Sequence, residues 1–384
     1  MTSCLFLLFT GGVKISRRHF LLGSGVALST LTSIPELHAS KTRSLSNGAD
    51  ISWLPEVEVA GGKFYDAQGR RIDAIALLKL SGVKVGRIRV FVNPQTENGS
   101  LKRAIALAKR LKAHGLEICV DLHYSDTWAD PAHQTMPAGW SNEIDKLEKE
   151  IYDYTYKTLQ QFVHSGVMPQ WVQIGNEVAG GFLWPIGKLT SDDASEWQNF
   201  VRLQNAGIQA LWKAVPKARS IVHLECGGDY QRVRWWLNSA QRHGLNNYDI
   251  LGLSYYSQWS GSLNDLSKTL DIVTSEFKKP VVIAETAYPW SSQRFGNDVI
   301  DTDKALLVGH PMTPSGQKKF VLNLEKLLRQ QPGNRGLGLW WWEPMAIQVR
   351  AAGGAITWNG GMANSALVDS QGRALPALNA LNGQ

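Results

Sequence analysis

The chain has 384 residues, 43% of them hydrophobic, and a formal net charge of +7. That much apolar side chain can bury a full core, which excludes a disordered chain, and the length suits one large barrel domain. The charge is mild and no Lys/Arg run is dense enough to track a phosphate backbone, so nucleic acid is excluded as an expected partner.

The first element is an address. Arg17-Arg18 precede an apolar stretch from Phe20 to Ile34, and Leu37-His38-Ala39 offers a small residue for cleavage. This order of basic pair, apolar run and small residue predicts a secretory signal of twin-arginine type over residues 1–39. Gly23, Ser24, Gly25, Ser29 and Thr30 interrupt the run, which is short for a membrane span. The mature protein, residues 40–384, is therefore expected in the periplasm or outside the cell, free of the membrane and monomeric. The stretch 1–12 ahead of the basic pair is unlike a signal and places the expected start near Val13. Without residues 1–39 the balance falls to +5, from 37 basic and 32 acidic residues. Of the three cysteines, Cys119 and Cys226 survive processing, and both sit in apolar segments where buried free thiols are expected.

The mature chain then alternates. Strand-like runs recur at 49–53, 86–92, 117–123, 171–174, 220–224, 250–255, 280–285 and 336–342, mostly β-branched or aromatic and bounded by Gly, Pro, Asn or Asp. Helix-period segments lie between them at about 73–82, 101–115, 144–166, 191–214, 229–243, 262–278 and 314–331. In the second of these, Leu101, Ala104, Ile105, Ala108 and Leu111 share one face and Gly115 caps the end. Eight such alternations predict a parallel sheet covered by helices, and eight strands close a barrel, so the expected fold is a single-domain α/β (β/α)8 TIM barrel. An open doubly wound sheet is the alternative, but no glycine-rich phosphate turn follows the first strand. The 15 tryptophans fit either a large core or stacking surfaces for sugar rings.

In such barrels the working residues gather where strands end. The second run gives Arg87 and Arg89, the third gives Asp121, His123 and Asp126, the fourth ends Gly175-Asn176-Glu177, and the seventh ends Ala284-Glu285-Thr286. A carboxylate after an apolar strand must face the barrel mouth or be buried at high cost, so each needs a partner or a task. One such glutamate is as well explained by an ion pair with Arg87 or Arg89. Two, at the ends of strands 4 and 7, can face each other across one cleft. A retaining glycosidase needs such a pair about 5–5.5 Å apart, one carboxyl to protonate the leaving oxygen and one to attack the anomeric carbon.

Several segments resemble glycoside hydrolase family 53, the arabinogalactan endo-β-1,4-galactanases of clan A. They are Gly48-Ala49-Asp50-Ile51-Ser52-Trp53, the segment 87–94, His123-Tyr124-Ser125-Asp126-Thr127-Trp128-Ala129-Asp130-Pro131, the segment 171–177 followed by Leu183-Trp184-Pro185, Leu253-Ser254-Tyr255-Tyr256, and Glu285-Thr286-Ala287-Tyr288-Pro289-Trp290. Together they span roughly residues 48 to 380. The resemblance implies retaining endo-hydrolysis of β-1,4-galactan, with Glu177 as general acid/base and Glu285 as nucleophile. It implies that Asn176 holds the sugar 2-hydroxyl and that Tyr255 hydrogen-bonds the nucleophile. It also makes His123, Trp128, Trp184, Trp341 and Trp342 substrate-site candidates, one of the last pair being better read as core. Alternation alone leaves open which of Arg87 and Arg89 points inward; the resemblance favours Arg89 as partner of Glu285.

The sequence departs from the family pattern in places. Ser257 stands where a proline often follows strand 6, and Glu225-Cys226-Gly227-Gly228-Asp229 after strand 5 is atypical. Some bacterial members hold a structural calcium in the loop after strand 7. Here that loop reads Ser291-Ser292-Gln293-Arg294-Phe295-Gly296-Asn297-Asp298, poor in hard oxygen ligands, so no cofactor is expected and calcium is not supported. Three other readings remain open to test: a clan A enzyme for mannan or glucan, a metal hydrolase using His123 with Asp121 and Asp126, and a carbohydrate-binding protein without catalysis.

Overall fold

Alternation along each strand decides which side chains enter the barrel and which face the helices. The computed structural model describes residues 44–300, 302 and 309–383. The expected signal and translation start lie outside the described residues. Eight parallel strands close a barrel: β1 (Gly48–Asp50), β2 (Val85–Val90), β3 (Glu117–Leu122), β4 (Trp171–Ile174), β5 (Arg219–Leu224), β6 (Ile250–Tyr256), β7 (Val281–Ala287) and β8 (Gly336–Trp342), each paired with its neighbours and β8 with β1.

The helices agree closely with the expected ones, because each carries an apolar stripe and all but Ile144–His164 begin at a side-chain cap. Helix Leu101–Ala113 starts where the Ser100 side chain accepts from the Arg103 amide, and it buries Ala104, Leu107, Ala108 and Leu111. Helix Ala194–Ala214 is capped by Asp193, and Leu263–Asp271 by a reciprocal capping box between Ser262 and Asp265. The segment expected as one helix over 262–278 changes to a π-helical turn at Ile272–Glu276. Small elements went unread: a helix at Leu54–Val59, two two-stranded hairpins, and a terminal helix Pro376–Ala380. They are too short to show a period. Cys119 and Cys226 are buried free thiols.

The floor of the barrel is a sealed apolar plug of Val85, Cys119, Trp171, Ile221, Ile250, Val282, Ala284 and Trp340. Trp171 and Trp340 meet edge to face at 5.5 Å. Their polar ends are satisfied, Trp171 Nε1 donating to Glu117 at 2.6 Å and Trp340 Nε1 to the Ser46 carbonyl at 3.0 Å. Gly48 makes room for this, since a Cβ there would stand 2.4 Å from the Trp340 ring. Above the plug the inward positions turn polar: Asp50, Arg87, Arg89, Asp121, Gln173 and His223 are all buried. A buried polar layer on an apolar plug is a structure with its chemistry at one end.

Candidate active site

The mouth of the barrel opens into a cavity of about 880 Å³. Its lining includes Arg87, Arg89, His123, Trp128, Asn176, Glu177, Ser254, Tyr256, Glu285 and Trp342.

Glu177 follows β4 through a sharp change of backbone direction. Gly175 has φ +82°, and Glu177 itself sits in the left-handed region at φ 53°. A non-glycine residue there is strained by roughly 1–3 kcal/mol, a cost that persists where the surroundings fix the side chain. Tyr124 after β3 and Glu343 after β8 do the same, at φ 49° and 50°. Glu177 is half-buried, and its Oε1 is hydrogen-bonded to Ser254 Oγ at 2.6 Å.

Glu285 reaches the same cavity by a different device. Between β6 and β7 the register runs Leu253 opposite Ile283 and then Ser254 opposite Glu285, so Ala284 is an extra residue. A shift at the same place separates β7 from β8, where Leu339 faces Ile283 and Trp341 faces Thr286. This bulge lets Ala284 face the plug and its neighbour Glu285 also face inward, which simple alternation forbids. Glu285 Oε1 lies 2.8 Å from Arg87 Nη1, and Tyr256 donates its hydroxyl to Oε2 at 3.0 Å.

Strands β5 and β6 lie between the two glutamate-bearing strands. The β6 residues Ser254 and Tyr256 each hold one carboxyl, so the pair is bracketed from a single strand. The two carboxyls differ electrostatically. Burial raises both above the ordinary carboxylate range, and mutual repulsion raises Glu177 further. At Glu285 the adjacent Arg87 opposes burial, whereas among the described residues Glu177 has no cation within hydrogen-bond reach and is raised more strongly. Of the two, Glu177 is raised the further, by burial and by the Glu285 charge.

Arg87 is the hub. It is fully buried and meets Asp50 at 2.7 Å, Asp121 at 2.9 Å, Glu285 at 2.8 Å and the Asn176 side-chain oxygen at 2.9 Å. This corrects the expectation that Arg89 partners Glu285. Residues 87 and 89 share parity and both point inward, but Arg89 sits one layer higher. Its guanidinium packs 3.8 Å over the Trp128 ring, donates to Asn98 at 3.0 Å and stands 3.8 Å from Glu343. Among the described residues Arg89 Nε and Nη1 are buried without a hydrogen-bond partner, Nη1 facing Glu343 across 3.8 Å.

The other expected site residues divide. His123 lines the cavity and binds Asp121 through Nε2 at 2.9 Å, while its Nδ1 accepts from the Ala129 amide at 3.1 Å. Burial, only partly offset by Asp121, lowers its proton affinity, so it is a neutral brace. Asp126 turns away, spending its oxygens on the Asn93 and Ala138 amides, so His123, Asp121 and Asp126 do not converge on a metal position. Asn176 is in place, its amide nitrogen donating to the Ala129 carbonyl at 2.8 Å. Tyr255 is corrected: it faces outward, donates to the Gly261 carbonyl at 3.0 Å and stacks near Phe320, and Tyr256 holds the nucleophile position instead. Trp341 is core, donating to the Ser365 carbonyl, while Trp342 is half-buried on the cavity wall. Trp184 lies outside the lining, its indole held by the Gly180 carbonyl at 3.0 Å.

Sequence reasoning missed Trp53, which meets Trp128 at 5.7 Å and Trp342 at 5.5 Å to complete an aromatic wall. It also missed His223, Ser254, Tyr256 and Glu343; counting alternate positions back from Tyr256, where β6 ends, finds Ser254. In the loop after β7, Asp298 accepts from the Phe295 and Asn364 amides, and Arg294 donates to the Asp298 carbonyl. Among its described residues this loop presents no free set of oxygen ligands for calcium.

A family model, Glycosyl hydrolase family 53, matches residues 46–381. The chain belongs to this family. An arabinogalactan endo-β-1,4-galactanase of Thermothelomyces thermophilus is 34% identical over 342 residues, covering 86% of this chain and 97% of that protein. The protein of the same description from Cellvibrio japonicus is 33% identical, covering 79% of this chain and 81% of that one. Among solved structures, the GH53 catalytic domain of Ignisphaera aggregans superposes with a TM-score of 0.80 at 31% identity, covering 88% and 95% of the two chains. The family 53 chain is thus a glycoside hydrolase built as a (β/α)8 barrel, and its polar layer and aromatic wall stand where the barrel fold places an active site.

Proposed function

We propose that this chain is an exported, monomeric endo-β-1,4-galactanase that cleaves galactan or type I arabinogalactan with retention. The observation that carries the reading is the unequal carboxyl pair: Glu285 held by Arg87 and Tyr256, Glu177 held by Ser254 and pushed towards its acid form. In the first step Glu177 gives its proton to the glycosidic oxygen while Glu285 attacks the anomeric carbon, forming a glycosyl-enzyme ester. In the second, ionised Glu177 takes a proton from water, and the hydroxyl formed displaces Glu285. The Arg87 charge keeps Glu285 the better nucleophile of the two. The wall of Trp53, Trp128 and Trp342, with the Arg89 guanidinium packed on Trp128, offers apolar faces to sugar rings.

The substrate within this chemistry is supported by the names of the relatives. Export is supported by the basic pair and apolar run near the N-terminus. Release of short oligosaccharides from linear galactan, followed by product sizing against mannan and glucan, tests the substrate. Cleavage of galactan alone is expected; cleavage of mannan or glucan in preference would replace it.

A further inference from the structure

Behind Glu177 runs a line of polar side chains that no catalytic step above requires. Glu177 Oε1 is 2.6 Å from Ser254 Oγ, and Ser254 Oγ is 2.9 Å from His223 Nε2. His223 Nδ1 is 2.9 Å from Asn176 Oδ1. His223, Ser254 and Asn176 are all buried. Hydrogen positions along this line follow from its far end. Asn176 Nδ2 donates to the Ala129 carbonyl and its Oδ1 receives Arg87 Nη2 at 2.9 Å, so the amide cannot be flipped and Oδ1 only accepts.

The 2.9 Å contact therefore needs a proton on His223 Nδ1. Gln173 Nε2, at 3.1 Å from the same nitrogen, has better uses for its hydrogens at Asp121, 2.7 Å away, and at Asn176, 3.0 Å away. The Glu177 amide approaches Nδ1 only at 3.4 Å. Burial and the nearby Arg87 hold the imidazole neutral, so Nε2 is bare and can only accept. Ser254 has one hydrogen, and it goes to Nε2. Its oxygen then faces Glu177 as an acceptor. If Glu177 is ionised, the carboxylate and Nε2 compete for that one hydrogen and one buried acceptor goes without. With a proton on Glu177 every group is satisfied.

We propose that Ser254 and His223 are positioning residues that keep Glu177 in its acid form in the resting enzyme, through a line of directed hydrogen bonds anchored at Asn176. The proposal rests on Glu177 being the acid/base. Delivery of the proton to the leaving oxygen costs the line a hydrogen bond. Reprotonation of Glu177 by the water of the second step restores it. Other charged or titratable groups facing Glu177 and His223 are Arg87 from β2, Asp121 and His123 from β3, Tyr256 from β6, Glu285 from β7, and Glu225 just beyond β5. They act the same way in wild type and in a Ser254 variant.

The sign of one shift decides the matter. If Ser254 accepts from Glu177, Ser254→Ala moves the alkaline limb of the kcat/KM profile on linear galactan to lower pH, by about one pH unit for a bond of this kind. Ser254→Thr, which keeps the hydroxyl, restores the limb. A shift to higher pH means that Ser254 donates to a carboxylate, and no shift means a packing role only; either overturns the proposal. Infrared difference spectra of wild type against Glu177→Gln read the same proton without catalysis, and so separate this proposal from the choice of substrate. A carboxylic-acid band at neutral pH that weakens in His223→Gln is expected. An ionised Glu177 in wild type, or a band untouched by His223→Gln, overturns it even where Ser254→Ala does not fold.

Discussion

A single guanidinium serves three carboxylates in this site. Arg87 meets Asp50, Asp121 and Glu285, all within 2.9 Å. Three buried negative charges around one positive charge leave an excess that only protonation or solvent can relieve. The Glu285 charge is one reason, after burial, why Glu177 is pushed towards its acid form. Replacing Arg87 by Met strands all three, and breaking a buried pair costs about 3–5 kcal/mol. Chemical denaturation of Arg87→Met is expected to show a loss of that order together with loss of activity; a variant as stable as wild type would contradict the hub role. Glu177→Gln and Glu285→Gln are expected to fold normally by circular dichroism yet turn over galactan roughly 100- to 10,000-fold more slowly, the usual worth of a positioned proton donor or more. Near-normal turnover in either removes that residue from the chemistry.

At the scale of the element, parity and its interruption at Ala284 decide who reaches the substrate. Tyr255 and Tyr256 are neighbours, as are Trp341 and Trp342, and in each pair one side chain is core and one is in the cavity. Tyr256→Phe removes a hydrogen bond to a charged group, worth about 1.5–3 kcal/mol, and is expected to lower kcat. Tyr255→Phe loses one neutral bond, worth about 1 kcal/mol, from stability with activity kept. Trp341→Ala is expected to lose about 3–5 kcal/mol of stability, whereas Trp342→Ala raises KM roughly tenfold, about 1.4 kcal/mol. Thermal melts beside Michaelis curves separate the two kinds of outcome.

The same geometry explains what could be read beforehand. Strand runs, helix stripes and the strand-end glutamates are local in sequence and were legible. The assignment of Arg89 and Tyr255 failed because it needed depth along the barrel and the register of β6 against β7. The extra residue at Ala284 leaves no mark in a run that is simply apolar. His223 was hidden for a related reason, as a polar residue inside a strand whose other members are mostly apolar.

For the whole molecule, closing the sheet gathers buried acids whose proton affinities burial raises, Glu343 and Glu177 most strongly. A group raised in the folded state contributes stability that is fully present below its unfolded value, near 4.5, and lost as pH rises through the folded one. Melting temperature is therefore expected to fall from mildly acidic towards alkaline pH, and Glu343→Gln should flatten part of that slope. An identical slope in the variant would show that Glu343 is ionised when folded.

The claim on which the rest depends is that the carboxyls of Glu177 and Glu285 lie close enough for direct attack on the sugar. Proton NMR of linear galactan during the first minutes of hydrolysis reads this directly. The β-anomer of the new reducing end is predicted to appear first and to mutarotate afterwards. Initial appearance of the α-anomer would mean that water, not Glu285, attacks the anomeric carbon.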